Sequence, residues 1–246
     1  MQRTAPRLTR ILACAAVPAM LLVAGCSSDS GGSGDTGASG AKDKATATAS
    51  ETPSPAQTTK TVEPAKFAKL PEACKAVTAK TIDALVPKAK TKAGTPAPSS
   101  DLTSRGGCSW NGLDDKGVKG SQYRWLDVSF YRYTSDLTLG SGQERARQNL
   151  AKELAKVQET QGAKKLRTVA ATGIGEEAKT VTYQLRKTDE DFVYTSVIAR
   201  SGNVLVLLSY NGAGYAGAPT PSETTIANGA TTAAKEAVAA IAAANK

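Results

Sequence analysis

Histidine is absent from the 246 residues of this sequence. Because histidine is the commonest general base and the commonest metal ligand, its absence excludes the usual Ser and Cys triads and most protein metal sites. Aromatic residues make up only 5% of the chain. No set of residues points to catalysis, so we expect a protein that is not an enzyme and that needs no metal and no cofactor.

Carboxylates do occur in pairs, and paired carboxylates carry out glycoside hydrolysis. The pairs share a turn-like setting in which acidic residues are ordinary solvated side chains: Asp114-Asp115, Glu176-Glu177 and Asp189-Glu190-Asp191. Hydrolysis requires two carboxylates that face each other across a cleft, whereas neighbours on a strand point apart. The pairs do not favour catalysis, and a hydrolase of wall or carbohydrate material is kept as the alternative function.

The N-terminus lacks acidic residues, and its apolar run is too short for a comfortable membrane span. Arg3, Arg7 and Arg10 precede an apolar stretch over residues 11–24, which Pro18 interrupts. A basic start, a short apolar middle and small residues at the end are typical of a secretory signal peptide. Because there is no Arg-Arg pair, we expect the general secretion route rather than the twin-arginine route.

The apolar stretch ends in Leu22-Val23-Ala24-Gly25-Cys26, which resembles the lipobox of bacterial lipoproteins. In such proteins the cysteine sulfur receives a diacylglyceryl group, and cleavage makes the cysteine the new N-terminus. We therefore expect residues 1–25 to be a signal peptide and Cys26 to be the lipidation site, rather than a chance cysteine in an ordinary signal peptide. Two or three acyl chains would hold the protein stably on the extracytoplasmic face of the cell membrane.

Residues 26–65 combine the lipidated cysteine with a Ser/Gly-rich and then a Thr/Ala/Pro-rich segment that has no apolar periodicity. Such a segment cannot bury enough surface to offset its ordering entropy, so we expect a disordered linker. A flexible linker of about 39 residues has a root-mean-square span of about 30 to 40 Å. A glycosylated stalk is the alternative, and it would have the same spacing role.

Residues 66–246 are long enough for a single domain with its own core. Cys74 and Cys108 are the only cysteines of this segment. An even number of cysteines in an exported protein predicts a disulfide between them. A redox pair is the alternative, but redox cysteines are usually close in sequence.

The mature chain is basic. Three of the 31 basic residues and none of the 22 acidic residues lie in the signal peptide, so the net charge after its removal is +6. This charge fits anionic wall polymers or phospholipid headgroups as partners, and it fits equally an ordinary basic surface. Nucleic acid is not expected as a partner outside the membrane.

Periodicity predicts an α+β fold, in which an antiparallel β-sheet is packed with helices. The strongest strand runs over residues 122–134, where Leu126, Val128 and Phe130 alternate with polar and aromatic side chains. The run Val204–Leu208 is continuously apolar, which predicts a central strand. Helices are predicted after Thr78, after the capping box Ser141–Glu144, and after Thr220-Pro221-Ser222-Glu223 with Thr220 as the N-cap.

Several short motifs resemble a family of actinobacterial cell-envelope lipoproteins whose shared domain has no known function. The motifs are the lipobox, the linker, Cys74 before a short helix, Cys108-Ser109-Trp110 and Gly173-Ile174-Gly175-Glu176-Glu177-Ala178. The sequence departs from the family pattern where Glu72-Ala73 stands in place of Asp-Pro. The resemblance covers most of residues 70–243, implies a surface lipoprotein with a disulfide and an α+β fold, and carries over no catalytic residues.

One strand carries a side-chain cluster with the chemistry of a binding site. Its members alternate along one face: Tyr123, Trp125, Asp127, Ser129, Tyr131 and Tyr133. Aromatic rings beside polar groups suit sugar rings or other flat ligands. The alternative is that a helix packs on these rings. We expect a lipid-anchored protein that binds a small ligand, a wall polymer or another envelope protein, and a lipid carrier with an apolar cavity is a further alternative.

Overall fold

The structure is a computed structural model, and it describes residues 61–246. The predicted signal peptide, Cys26 and nearly all of the predicted linker lie outside the described residues. The described part contains helices and strands with these bounds: α1 Ala79–Leu85, β1 Thr95–Pro96, β2 Arg105–Asp115, β3 Ser121–Arg132, α2 Gly142–Gln158, β4 Lys164–Ala170, β5 Glu177–Lys187, β6 Glu190–Ser201, β7 Val204–Tyr215 and α3 Glu223–Ala243.

The strands form one seven-stranded antiparallel sheet in the order β1-β2-β3-β7-β6-β5-β4. The predicted α+β fold is therefore confirmed, and β7 lies at the centre, as its continuous apolar run predicts. The long pairing of β3 with β7, from Ser121 opposite Tyr215 to Arg132 opposite Val204, joins the hairpin β2-β3 to the meander β4-β5-β6-β7.

One face of the sheet packs against α3 and α1. Leu126, Val128 and Phe130 are completely buried on this face, which confirms the predicted alternation in β3. The residues that α3 buries against the sheet are mostly alanines, so the helix lies close to the strands. At Gly229 of α3, a Cβ atom would come within 2.7 Å of the Tyr210 ring.

The start of α3 differs from the prediction. Ser222, not Thr220, is the N-cap, and its Oγ accepts a hydrogen bond from the Thr225 backbone N–H at 3.1 Å. Pro221 therefore precedes the cap instead of occupying the first helical position. Serine is the stronger N-cap of the two residues, which agrees with the shorter helix.

The second face of the sheet is only partly covered. α2 packs there over Val181, Ile198 and Leu205. The predicted cap at Ser141 is confirmed, since its Oγ accepts a hydrogen bond from the Glu144 N–H at 3.2 Å. α2 lies toward the end of the sheet that carries the hairpin between β6 and β7, and the opposite end of this face is open.

The predicted disulfide between Cys74 and Cys108 is formed, with the two Cα atoms 5.1 Å apart. It ties the 3-10 turn Ala73–Lys75 to β2. Trp110 is buried beside it, and its Nε1–H donates to the Lys92 carbonyl at 3.2 Å. Gly94, with φ 81°, packs against both Cys108 Sγ and the Trp110 ring, and a side chain at this position would clash with both groups.

The segment that precedes α1 is held along the domain by side-chain amides. The buried Asn203 accepts from the Phe67 N–H at 2.7 Å and donates to the Phe67 carbonyl at 3.0 Å and to the Tyr133 carbonyl at 2.8 Å. Asn245 at the end of α3 makes the same pair of bonds with the Lys69 backbone, each 3.0 Å long. These contacts fix where the chain enters the domain.

Candidate functional site

The open end of the second sheet face forms a groove of about 560 Å³. Tyr123, Trp125 and Asp127 of β3 lie along it, so the structure brings together three of the five predicted ligand-binding residues. That they bind a ligand stays a prediction. The lining residues, which define the aromatic groove, are Tyr123, Trp125, Asp127, Lys187, Thr188, Phe192, Tyr194, Ser209, Asn211 and Tyr215.

Strand register explains why these side chains converge. Trp125 lies opposite Asn211 of β7, and Asn211 lies opposite Tyr194 of β6. Directly opposed residues of antiparallel strands point to the same side of the sheet. The three side chains therefore form one row across β3, β7 and β6.

The rings of the aromatic groove support one another edge to face. Phe192 lies at the centre, with the Tyr123 ring 6.0 Å and the Tyr215 ring 6.2 Å from it, both in T-shaped contacts. Tyr194 stacks on Tyr183 with the ring centroids 5.0 Å apart. Such contacts hold the rings in place. Phe192 is buried, whereas Tyr123, Tyr194 and Tyr215 keep part of their surface exposed to a ligand.

The rim of the groove is the turn between β5 and β6. Thr188 and Asp189 occupy this turn with φ values of 48° and 63°. The left-handed conformation costs about 1 to 2 kcal/mol for a residue other than glycine. Lys187 precedes the turn, and its Nζ lies 5.2 Å from the centroid of the Tyr194 ring.

Asp127 is the acidic residue of the groove. Its Oδ1 accepts a hydrogen bond from the Trp125 Nε1–H at 3.2 Å. Burial raises the pKa of the Asp127 carboxyl to about 6, and the bond from Trp125 opposes this effect only in part. Its neighbours across the strands are the small hydroxyl residues Ser109 and Ser209. Near neutral pH the carboxyl can therefore change between accepting and donating hydrogen bonds to a ligand.

Tyr131 and Tyr133, the other two predicted residues, do not line the aromatic groove. Tyr131 lies six positions beyond Trp125 on the extended strand, which is about 20 Å at the rise of a β-strand. Both tyrosines line a different cleft of about 680 Å³ beside the loop over residues 97–104. The structure therefore divides the five predicted residues between two clefts, because one strand face is longer than one small ligand.

None of the acidic pairs lines the aromatic groove, although Asp189 lies in the turn at its rim. Glu176 and Glu177 both pair with Arg200, at 2.7 and 3.8 Å. Asp115 caps a turn by accepting from the Gly117 N–H at 2.9 Å, and Asp191 pairs with Arg186 at 3.4 Å. Gly175 precedes Glu176 in a turn that leads into β5.

The described residues offer neither a metal-ligand cluster nor a membrane-spanning helix. Within residues 61–246, no three Cys, Asp or Glu side chains come together as possible metal ligands. None of α1, α2 and α3 is long and apolar enough to cross a membrane.

Phe192, Tyr194 and Tyr215 line the groove but were not predicted from the sequence. The first two have the same parity on their strand, which is a signal of a shared face. Their closeness to Trp125 depends on the pairing of β3 with β7, which cannot be predicted from the order of the strands along the chain.

These observations define an α+β domain with one helix-covered sheet face and an open aromatic groove on the other. Residues 21–192 match the protein family described as "Protein of unknown function (DUF3558)", and the chain belongs to that family. No curated protein matches the sequence.

Two solved structures share limited likeness with the domain. One is LpqN of Mycobacterium tuberculosis, described as involved in cell envelope biogenesis, with 14% identity, a TM-score of 0.32, and coverage of 58% of this chain and 82% of that chain. The other is the di-domain ARO/CYC StfQ of the steffimycin biosynthetic pathway, with 8% identity, a TM-score of 0.14, and coverage of 71% and 97%. At these TM-scores neither likeness bears on the function of this chain.

Proposed function

We propose that this protein is a lipid-anchored, extracytoplasmic envelope protein whose domain binds carbohydrate in the aromatic groove without chemical conversion. The observation that carries the proposal is the pairing of Trp125 with Asp127 in an open groove. A sugar offers an apolar ring face to an aromatic ring and hydroxyl groups to a carboxyl, so the pair matches both parts of such a ligand.

The residues that line the groove favour binding over hydrolysis. Asp127 is the one carboxylate among the lining residues. Glycoside hydrolysis uses two carboxylates on either side of the scissile bond, and none of the paired acids of the sequence is among the residues that line the groove. The groove is open and mixed in polarity, which also favours a sugar over the apolar cargo of a lipid carrier.

The proposed anchor rests on the sequence. The basic N-terminus, the short apolar run and the small residues before Cys26 agree with a lipoprotein signal, and the family match begins at residue 21, just before that cysteine. Replacement of Cys26 by Ser should release the protein from the membrane fraction and remove the acyl mass. A Cys26→Ser protein that still carries acyl chains would exclude this anchor.

The binding proposal is tested by equilibrium titration of soluble cell-wall oligosaccharides into the unlipidated mature chain, from residue 26 onward with Cys26→Ser. Stacking on an aromatic ring is worth about 1 to 3 kcal/mol in base recognition. We expect a similar loss for Trp125→Ala, and no loss for the control variant Tyr131→Phe, which lies in the other cleft. Equal affinities of Trp125→Ala and the unsubstituted chain would refute the groove as the binding site.

A further inference from the structure

The cleft that holds Tyr131 and Tyr133 has a basic lining. Arg105, Arg132 and Arg145 line it, together with the hydroxyl residues Ser104 and Ser129. We call it the arginine cleft. Its volume of about 680 Å³ exceeds the 560 Å³ of the aromatic groove. Three guanidinium side chains and several hydroxyl groups around one cleft are the donors that phosphate oxygens require.

None of the three arginines forms a salt bridge among the described residues, although the Arg145 guanidinium is close enough to Asp136 to help lower the pKa of that carboxyl. Arg167, Arg186 and Arg200 each pair with a carboxylate. Arg132 Nε instead donates to the Thr103 carbonyl at 2.9 Å, and Arg145 Nη1 donates to the Thr134 carbonyl at 2.7 Å. Because a guanidinium has five N–H donors, each of these side chains is positioned by one bond and keeps the others for a ligand.

Arg105 is the least constrained of the three. It begins β2, is exposed, and makes no side-chain hydrogen bond within residues 61–246. Its neighbour across the strand pair is Tyr131, so its side chain stands on the same sheet face as the tyrosines of the cleft. Arg105 is therefore free to close on a ligand without loss of a contact in the fold.

One acidic residue, Asp101, also lines the arginine cleft. Its Oδ1 accepts from the Thr103 N–H at 3.0 Å, the Thr103 hydroxyl at 2.6 Å and the Ser104 N–H at 3.2 Å. These hydrogen bonds lower the pKa of its carboxyl and hold the loop over residues 97–104 in shape. With three arginines and one aspartate, the lining keeps a positive charge.

The chain enters the domain at the rim of this cleft. The Ser135 hydroxyl donates to the Glu63 carbonyl at 2.6 Å, and Gln143 Nε2 donates to the Pro64 carbonyl at 3.0 Å. Thr134 and Arg145 line the cleft, and they lie within two positions of Ser135 and Gln143 in the sequence. Glu63 and Pro64, at the start of the described residues, therefore lie beside the arginine cleft.

We infer that the arginine cleft binds the phosphate group of a glycerol phosphate or sugar phosphate ester. Arg132 and Arg145 are already held in place by their hydrogen bonds, and the Arg105 side chain moves onto the bound phosphate. The same chemistry is presented by an anionic phospholipid headgroup and by a free phosphate ester. We choose a headgroup as the source because a lipid anchor would keep the domain within the span of the linker from a membrane surface, and this choice rests on the proposed lipid anchor.

The test uses the mature chain from residue 26 with Cys26→Ser, so that no acyl chain contributes to membrane binding. Its affinity is measured for free glycerol 1-phosphate, and for vesicles of phosphatidylglycerol compared with vesicles of phosphatidylcholine. Arg105→Gln should weaken the affinity for the probe that the cleft binds by about 10- to 100-fold. This is the range for loss of a hydrogen bond to a charged group. Arg147→Gln is the matched control, since Arg147 is exposed on α2, carries the same charge and lies outside the cleft.

The outcomes separate the two sources. Binding of phosphatidylglycerol vesicles that Arg105→Gln weakens and Arg147→Gln leaves within about twofold supports a lipid headgroup. Binding of free glycerol 1-phosphate with the same dependence, but with no preference for phosphatidylglycerol vesicles, supports a free ester. Binding of neither probe, or equal weakening by both variants, overturns the inference. Carbohydrate binding by Trp125 is a separate readout, so failure here is distinguishable from failure of the aromatic groove.

Discussion

Trp125 and Asp127 lie two positions apart on β3, and the indole N–H of the first donates to the carboxylate of the second over 3.2 Å. A carboxylate in this partly buried position is destabilising, because burial disfavours its charged form. The single hydrogen bond from Trp125 offsets this cost only in part. A group that costs stability and lies in an open groove is typical of a functional site.

Replacement of Asp127 by Asn should stabilise the domain at neutral pH. The pKa is raised in the folded state to about 6 from an ordinary value of 3.8. A raised carboxyl pKa means that the destabilisation is absent below about pH 4, grows between pH 4 and 6, and is complete above pH 6. We expect a gain of about 1 to 3 kcal/mol in the free energy of unfolding at pH 7.5.

Urea unfolding of both proteins at pH 4 and pH 7.5 measures this gain. Asn keeps a carbonyl oxygen to accept the bond from Trp125, so the variant changes the charge and little else. A gain of the same size at both pH values would show that the charge of Asp127 is not its cause.

Trp125 and its neighbour Leu126 should respond differently to truncation. Leu126 is completely buried on the helix-covered face, and Leu126→Ala should cost about 2 to 5 kcal/mol of stability. Trp125 is only partly buried on the open face, so Trp125→Ala should cost about 1 to 2 kcal/mol. Thermal or urea unfolding of the two variants decides the point, and a larger loss for Trp125→Ala would assign the ring to packing.

Local patterns predicted the strands because each depends on a period of two residues. The alternation of Leu126, Val128 and Phe130 identified the buried face of β3, and the apolar run Val204–Leu208 identified the central strand. The order of the strands is a long-range property that no local period encodes. For this reason Tyr194 of β6 was not recognised as a partner of Trp125.

The arginine cleft was beyond sequence analysis for the same reason. Arg105 and Arg145 are 40 positions apart in the sequence. They come together because β2 pairs with β3 and because Arg145 Nη1 donates to the carbonyl of Thr134, just after β3 ends. The aromatic residues of β3 were predicted from the sequence as one ligand-binding cluster. Their division between two clefts follows from the length of the strand.

Asn203 should be among the most sensitive polar residues of the domain. Asn203→Ala leaves the Phe67 N–H, the Phe67 carbonyl and the Tyr133 carbonyl without a partner in a buried setting. We expect a loss of about 2 to 4 kcal/mol, because unsatisfied buried groups bear their full desolvation penalty. Asn245→Ala is the matched control, since it removes equivalent bonds to Lys69 in an exposed setting and should cost about 1 kcal/mol. Equal losses in urea unfolding would show that burial is not what makes Asn203 important.

The disulfide should contribute a large part of the stability of the domain. Cys74 and Cys108 close a loop with a sequence separation of 34, for which the chain-entropy estimate is about 3 to 4 kcal/mol. The double variant Cys74→Ala, Cys108→Ala should lose about this amount in urea unfolding. Thiol titration of the denatured, unreduced Cys26→Ser mature chain should find no free thiol, and two reactive thiols would contradict the bond.

Binding of carbohydrate in the aromatic groove is tested most directly by the two indole N–H signals of the ¹⁵N-labelled mature chain, since the sequence contains two tryptophans. Trp110 donates its indole N–H to Lys92 in the core, whereas Trp125 donates to Asp127 in the groove. Trp125→Phe assigns the signals by removing one of them. On titration with soluble cell-wall oligosaccharides, the Trp125 signal should shift saturably while the Trp110 signal stays in place. A Trp125 signal that does not move at saturating concentrations of these oligosaccharides, or that moves only together with Trp110, would contradict carbohydrate binding in the groove.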